Sequence, residues 1–160
     1  MSHPPFNILF LCTGNSARSI LAEGLMNHLA EGRFKAYSAG SQPMGRVNPL
    51  AIDTLHALGC DTKGMSSKSC DVFAGADAPQ LDFIITVCDS AAGEACPYWP
   101  GAPMTAHWGF PDPSHVEARR AAFVKTAQAI TQRLRLFLSL PMDKLDKLSL
   151  QHQLHHIGTK

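Results

Sequence analysis

The spacing of apolar and polar residues changes several times along the chain, and each change predicts an element. Residues 6–11, FNILFL, form an unbroken apolar run of a length that suits a strand buried on both faces. From about Ser16 to Glu31 the apolar positions fall into helical spacing, with Leu21, Leu25 and Leu29 four apart on one face. FKAYSAG then reads as a second strand ending at Gly40. In NPLAIDTLHALG the punctuation is that of a helix: Asn48 caps, Pro49 suits the first helical position, and Gly59 ends it. DFIITVC carries a β-branched run and predicts a third strand, and MTAHW predicts a fourth.

Ser114 and Glu117 have capping-box spacing at the head of a long helical pattern. Val116, Phe123, Ala127, Ile130, Leu134 and Phe137 share one face of it until Pro141 stops the helix. The last segment, MDKLDKLSLQHQLHH, has Leu145 and Leu148 three apart; it either docks as a short helix or frays. Strands alternating with helices imply an α/β fold, a small parallel sheet covered on both faces and joined by right-handed crossovers. Ligands in such folds sit beyond the carboxyl ends of the strands. The first, third and fourth strands deliver Cys12, Cys88 and the segment from His107 to Pro113 to that edge.

With 160 residues and no long polar or Pro/Gly-rich linker, residues 1–160 are expected to form one domain. Its 14 Lys and Arg nearly balance 13 Asp and Glu, so no general attraction to nucleic acid or anionic membrane is expected, and any anion site must be local. No apolar stretch reaches the roughly 20 residues of a membrane span. The start, MSHPPFNILFLC, lacks the features of a secretory signal, so a reducing cytoplasmic location is the expectation. Five cysteines, at 12, 60, 70, 88 and 96, are an odd number for a fully paired framework, which leaves reactive, metal-binding or buried thiols.

The richest chemistry lies in CTGNSARS, residues 12–19. Between a strand and a helix, the backbone N–H groups of Thr13, Gly14, Asn15, Ser16 and Ala17 can curl around an anion, with the helix adding its positive end. Gly14 permits close approach, and Asn15 tolerates left-handed backbone. Arg18 supplies planar paired donors for a tetrahedral oxyanion. The thiol of Cys12 then sits beneath the anion's central atom, and the donors around it are expected to lower its pKa and favour the attacking thiolate. Ser16 and Ser19 offer hydroxyls to the sulfur or the loop. A plain buried cysteine followed by a solvated arginine is the competing reading, set aside because strand, cysteine, loop, arginine and helix occur in the required order.

CTGNSARS resembles the C-x5-R-S phosphate loop of the low-molecular-weight tyrosine phosphatase family, and Asp112–Pro113 resembles that family's acid loop. The resemblance extends over roughly residues 6–138, leaving about 141–160 as a C-terminal extension. It implies a three-layer sandwich with a central four-stranded parallel sheet. It also implies Cys12 as nucleophile, Arg18 as oxyanion clamp, Ser19 as thiolate partner and Asp112 as general acid.

Within that family, TVCDSAAGEACPYWPGAPMTAHWGFPDPS is similar to the arsenate reductases, which carry two later redox cysteines. Cys88 follows an apolar strand and Cys96 a polar loop, an arrangement suited to a relay. Attack by Cys88 on a Cys12–arsenic adduct releases arsenite and leaves a Cys12–Cys88 disulfide, which Cys96 moves outward to Cys88–Cys96. The resemblance implies no bound cofactor and an external thiol reductant, either thioredoxin or glutathione with glutaredoxin. A tyrosine phosphatase finishing its cycle with water is the alternative, and a non-enzymatic oxyanion sensor ranks last. Ser114 and His115 stand where phosphatases have tyrosines, and Ala17 where some thioredoxin-coupled reductases have another cysteine.

The remaining candidates have plainer readings. Cys88 and Cys96 with His107 offer a competing metal-ligand reading, yet the C-x7-C spacing is unlike a structural zinc knuckle, and no metal centre is expected. Cys60 and Cys70 read as structural thiols and His107 as a half-buried structural residue. Trp99 and Trp108 read as lid or core residues, and His152, His155 and His156 as a solvated polar tail.

Overall fold

The computed structural model describes residues 5–73, 78–88, 103–111, 113, 119–142 and 146–158. Among them four strands form one sheet: β1 (Phe6–Cys12), β2 (Phe34–Gly40), β3 (Phe83–Thr86) and β4 (Met104–His107). Their order is β2-β1-β3-β4 and every pairing is parallel, so the chain is an α/β protein built on a four-stranded parallel sheet. Three helices follow the predicted segments: α1 (Arg18–Leu29), α2 (Pro49–Ala57) and α3 (Arg119–Leu138). A fourth, α4 (Lys147–Gly158), forms from the segment for which docking and fraying were both open.

Local chemistry explains the boundaries. Asn48 caps α2 by accepting from the N–H of Leu50 at 2.9 Å, and Pro49 opens the helix where no N–H is required. Gly59 follows with φ of +81°, a conformation that would strain any side chain. The capping box Ser114–Glu117, with Val116 and Leu145, lies outside the described residues.

Side-chain alternation along β1 sends Ile8, Phe10 and Cys12 into one apolar cluster and Leu9 and Leu11 into another. The larger cluster joins the sheet to the helices, including Phe123, Ala127, Ile130, Leu134 and Phe137 of α3 along the predicted face. The smaller one packs Leu9, Leu11 and Ile84 under a 3-10 turn (Cys70–Phe73) and Leu81. Cys60 belongs to the first cluster and Cys70 to the second, as structural thiols should. α1 is buried on more than the leucine face, and Gly24 allows this: a Cβ there would lie 2.7 Å from Leu55 of α2.

The C-terminal helix settles another question. Leu150, Leu154 and Ile157 of α4 are buried, and the Trp108 indole N–H donates to the Leu154 carbonyl at 3.0 Å. Trp108 is therefore core, while Trp99 lies outside the described residues. His152, His155 and His156 are exposed, but on a docked helix rather than a tail. No helix among the described residues is long and apolar enough to cross a membrane.

Candidate active site

Parallel register brings the two sulfurs of interest together. Leu11 pairs with Thr86, and Val87 extends the ladder by donating to the Leu11 carbonyl at 2.9 Å. One step further, the Thr13 N–H donates to the sulfur of Cys88 at 3.3 Å, and the Thr13 hydroxyl is 3.6 Å from the same atom. Cys12 and Cys88 are buried thiols, 5% and 1% exposed.

From Thr13 to Ala17 the chain is held by its carbonyls. Thr13 O accepts from the Gln42 N–H, Gly14 O from the Met44 N–H, and Ser16 O from the Asn48 N–H, each at 2.9 Å. The Ser67 hydroxyl adds a bond to Gly14 O at 3.0 Å. The peptide bonds of this stretch are trans, so each C=O and the following N–H point in opposite directions. Carbonyls turned toward residues 42–48 therefore turn the N–H groups of Gly14, Asn15 and Ala17 to the other side, which makes the anion-facing concavity.

Asn15 fixes the bend. Its φ is +46°, its side-chain amide donates to the Ser19 hydroxyl at 2.8 Å, and its carbonyl oxygen accepts from the Lys68 N–H at 2.8 Å. Both Asn15 and Ser19 are fully buried. A hydroxyl that accepts keeps its own proton to donate, so Ser19 can still serve a neighbouring acceptor. Ala17 occupies the N-cap of α1 and has no side-chain cap to offer, which leaves the N-terminal N–H groups available to an oxyanion. Arg18, the first residue of α1, donates from Nη1 to the Phe110 carbonyl at 2.8 Å, which ties the guanidinium to the loop after β4.

The electrostatics of Cys12 differ from the expectation. Its pKa is raised, first because its thiol hydrogen-bonds to Cys88, then by burial and by the charge Cys88 can carry. Arg18 and the Gly14 N–H pull in the expected direction and are outweighed. Two neighbouring sulfurs cannot both ionise cheaply, so Cys12 is held in its protonated form while Cys88 stands beside it. The sequence reading counted the donors around Cys12 and not the second thiol.

The turn from β1 into α1 thus carries the N–H groups of Gly14, Asn15 and Ala17 turned away from residues 42–48, the Arg18 guanidinium and the Ser19 hydroxyl, with the buried thiols of Cys12 and Cys88 at its start. Cys96 and Asp112 lie outside the described residues. His107 is exposed rather than half-buried, with Nδ1 at 2.7 Å from the Thr86 hydroxyl.

Several supporting residues escaped the sequence reading. Gly40 is opposite Cys12 in register, and a Cβ there would lie 2.5 Å from Thr13 O and 3.0 Å from Asn15 N. A strand ending in glycine beside the loop-bearing strand was the available signal. Lys68 and Ser67 left none, because their reach to the loop spans 53 residues. Glu23 is held by the Ser38 hydroxyl at 2.6 Å; burial raises its pKa, against the pull of that hydrogen bond and of Lys68.

The model of low molecular weight phosphotyrosine protein phosphatases matches residues 7–152. The chain is 35% identical to an arsenate reductase of Shouchella clausii (strain KSM-K16) over 134 residues, covering 81% of this chain and 93% of that protein. It resembles a solved arsenate reductase in the phosphate binding state, with a TM-score of 0.69 and 27% identity over 84% of this chain and 97% of that one. The tyrosine phosphatase Wzb from Escherichia coli K30, solved with sulphate, gives a TM-score of 0.66 at 25% identity over 82% of this chain and 95% of the other.

Proposed function

This chain belongs to the low molecular weight phosphotyrosine protein phosphatase family, and from that premise we propose that it reduces arsenate to arsenite with its own thiols. The supporting observation is the Cys88 sulfur, 3.3 Å from the Thr13 N–H and so beside the start of the loop that Cys12 opens, where it raises the pKa of the Cys12 thiol. A hydrolase whose cycle ends with water has no need of a second sulfur there.

Arsenate binds to the N–H groups of Gly14, Asn15 and Ala17 and to Arg18, which stabilise the negative charge. Cys12 attacks arsenic; a sulfur–arsenic bond forms and one arsenate oxygen leaves as water, with Asp112 supplying a proton. Cys88 then attacks the Cys12 sulfur. The sulfur–arsenic bond breaks, its electron pair stays on arsenic, and arsenite departs from a Cys12–Cys88 disulfide. Cys96 attacks Cys88 and frees Cys12, and an external dithiol in a reducing cytoplasm, thioredoxin or glutathione with glutaredoxin, reduces the Cys88–Cys96 pair. The coupling of the two thiols suits this order: once Cys12 is bonded to arsenic it can no longer ionise, and it stops opposing ionisation of Cys88.

The test is arsenite production with each reductant by wild type, C12S and C88S. Both variants should lose nearly all turnover, and an undiminished C88S rate would reject the relay. The phosphatase alternative, favoured by the family model, predicts equal hydrolysis of a phosphotyrosyl peptide by wild type and C88S, with no arsenite.

A further inference from the structure

We infer that Arg133, on α3, is a positioning residue for the oxyanion clamp Arg18, acting through Phe110. The inference rests on reading residues 12–19 as an oxyanion site.

Phe110 is bonded on both of its flanking peptides. Its N–H donates to the Val87 carbonyl at 3.1 Å, next to Cys88. Its carbonyl accepts from Arg18 Nη1 at 2.8 Å. Between β4 and this junction, Arg133 holds the same residue from the opposite direction: its guanidinium carbon is 4.6 Å from the Phe110 ring centroid, and Nη1 donates to the Gly109 carbonyl at 3.3 Å. The Gly109–Phe110 peptide is therefore fixed at both its C=O and its N–H, and the ring is fixed under a cation. The Phe110 carbonyl lies in the next peptide, one Cα beyond that fixed unit and on the residue whose ring is clamped, so it is restrained through Phe110 and orients the guanidinium it accepts from. Arg18 then has Nη1 anchored and the plane of its guanidinium set before any anion arrives.

Arg133 is half-buried and Phe110 only 5% exposed, so the cation faces the ring with part of its hydration removed, the condition under which such contacts are strongest. The contacts of Arg133 with Gly109 and Phe110 lie one residue away from the guanidinium they steady, so its effect is carried by orientation. Lysine keeps the charge but loses the planar fork, and methionine loses both.

The experiment measures inorganic phosphate binding by calorimetry, beside thermal unfolding, for the full chain and four variants. R133M should weaken phosphate about five- to tenfold, the scale of one lost orienting contact, while shifting the unfolding midpoint little. R133K should recover part of the affinity. F110L, which keeps the backbone carbonyl and removes the ring, should reproduce the R133M loss. R135M removes a charge from the exposed side of the same helix and should leave affinity within about twofold of wild type. R133M binding like wild type, or R135M weakening as much as R133M, overturns the inference. If R133M does not fold, wild-type affinity in both R133K and F110L overturns it. Wild type that binds no phosphate overturns the oxyanion-site reading and this inference with it, a result distinct from equal binding by wild type and variants.

Discussion

At Cys12 the balance is between two kinds of neighbour. Arg18 and the Gly14 N–H stabilise a thiolate, whereas the Cys88 sulfur stabilises the protonated form by accepting its hydrogen bond, and burial adds to that preference. Removing Cys88 as a hydrogen-bonding group should let the first pair prevail. C88A is expected to move the pH midpoint of Cys12 alkylation downward and to raise the rate at pH 7 about tenfold, since the thiolate is the reacting species. C88S keeps a polar group at the same place and should shift less. Iodoacetamide rates against pH, with the modified peptide identified by mass, make the comparison; equal midpoints in wild type and C88A would refute the coupling of the two thiols. This coupling was illegible from the sequence because residues 12 and 88 meet only through the β1–β3 register, a property of pairing and not of either segment.

At the scale of elements, strand ends are the working parts. β2 ends on Gly40 because the loop leaving β1 passes directly over it, with Thr13 O where a Cβ would be. Backbone cannot yield there as a flexible side-chain tip can. G40A should displace the loop, cost about 1–3 kcal/mol of stability, and weaken phosphate binding more than tenfold; calorimetry and thermal unfolding report both. G24A meets only Leu55 methyls and Met65, which can move, and should leave phosphate affinity near wild type. W108F probes the other end of the sheet. It removes the hydrogen bond that pins α4 to β4 through the Leu154 carbonyl and should cost about 1–2 kcal/mol. The strands and helices themselves were legible because their signals are local: the β-branched run of β3, the Asn48–Pro49 start of α2, the spacing from Phe123 to Phe137. The docking of α4 and the clasp of Gln42, Met44 and Asn48 on the loop carbonyls were not, since both depend on partners remote in sequence or on backbone atoms that no residue type announces.

For the whole molecule, pH should act on stability through Glu23 and Lys68, which lie behind the oxyanion loop. Burial raises the folded-state pKa of Glu23 above its ordinary value of 4.5 and lowers that of Lys68 below 10.5, while each partly restores the other's charge. A carboxyl with a raised folded pKa binds its proton more tightly in the native state than in the unfolded chain. Its contribution is therefore most favourable below pH 4.5 and is lost as pH rises through the raised value. Lys68 runs the other way: charging it costs the native state, and that cost disappears only as pH rises through its lowered folded pKa toward 10.5. Between these two windows both charges are held at a cost, and their attraction offsets part of it. E23Q cannot ionise yet retains a carbonyl oxygen for the Ser38 hydroxyl, so it isolates the carboxyl. Urea unfolding from pH 4 to pH 8 should show wild type losing stability relative to E23Q as pH climbs above 4.5, then running parallel once Glu23 is fully ionised. K68M should deepen the loss by removing the compensating charge. Parallel wild-type and E23Q curves over the whole range would mean that Glu23 titrates alike in the folded and unfolded chain, and that the oxyanion loop is backed by an ordinary solvated carboxylate.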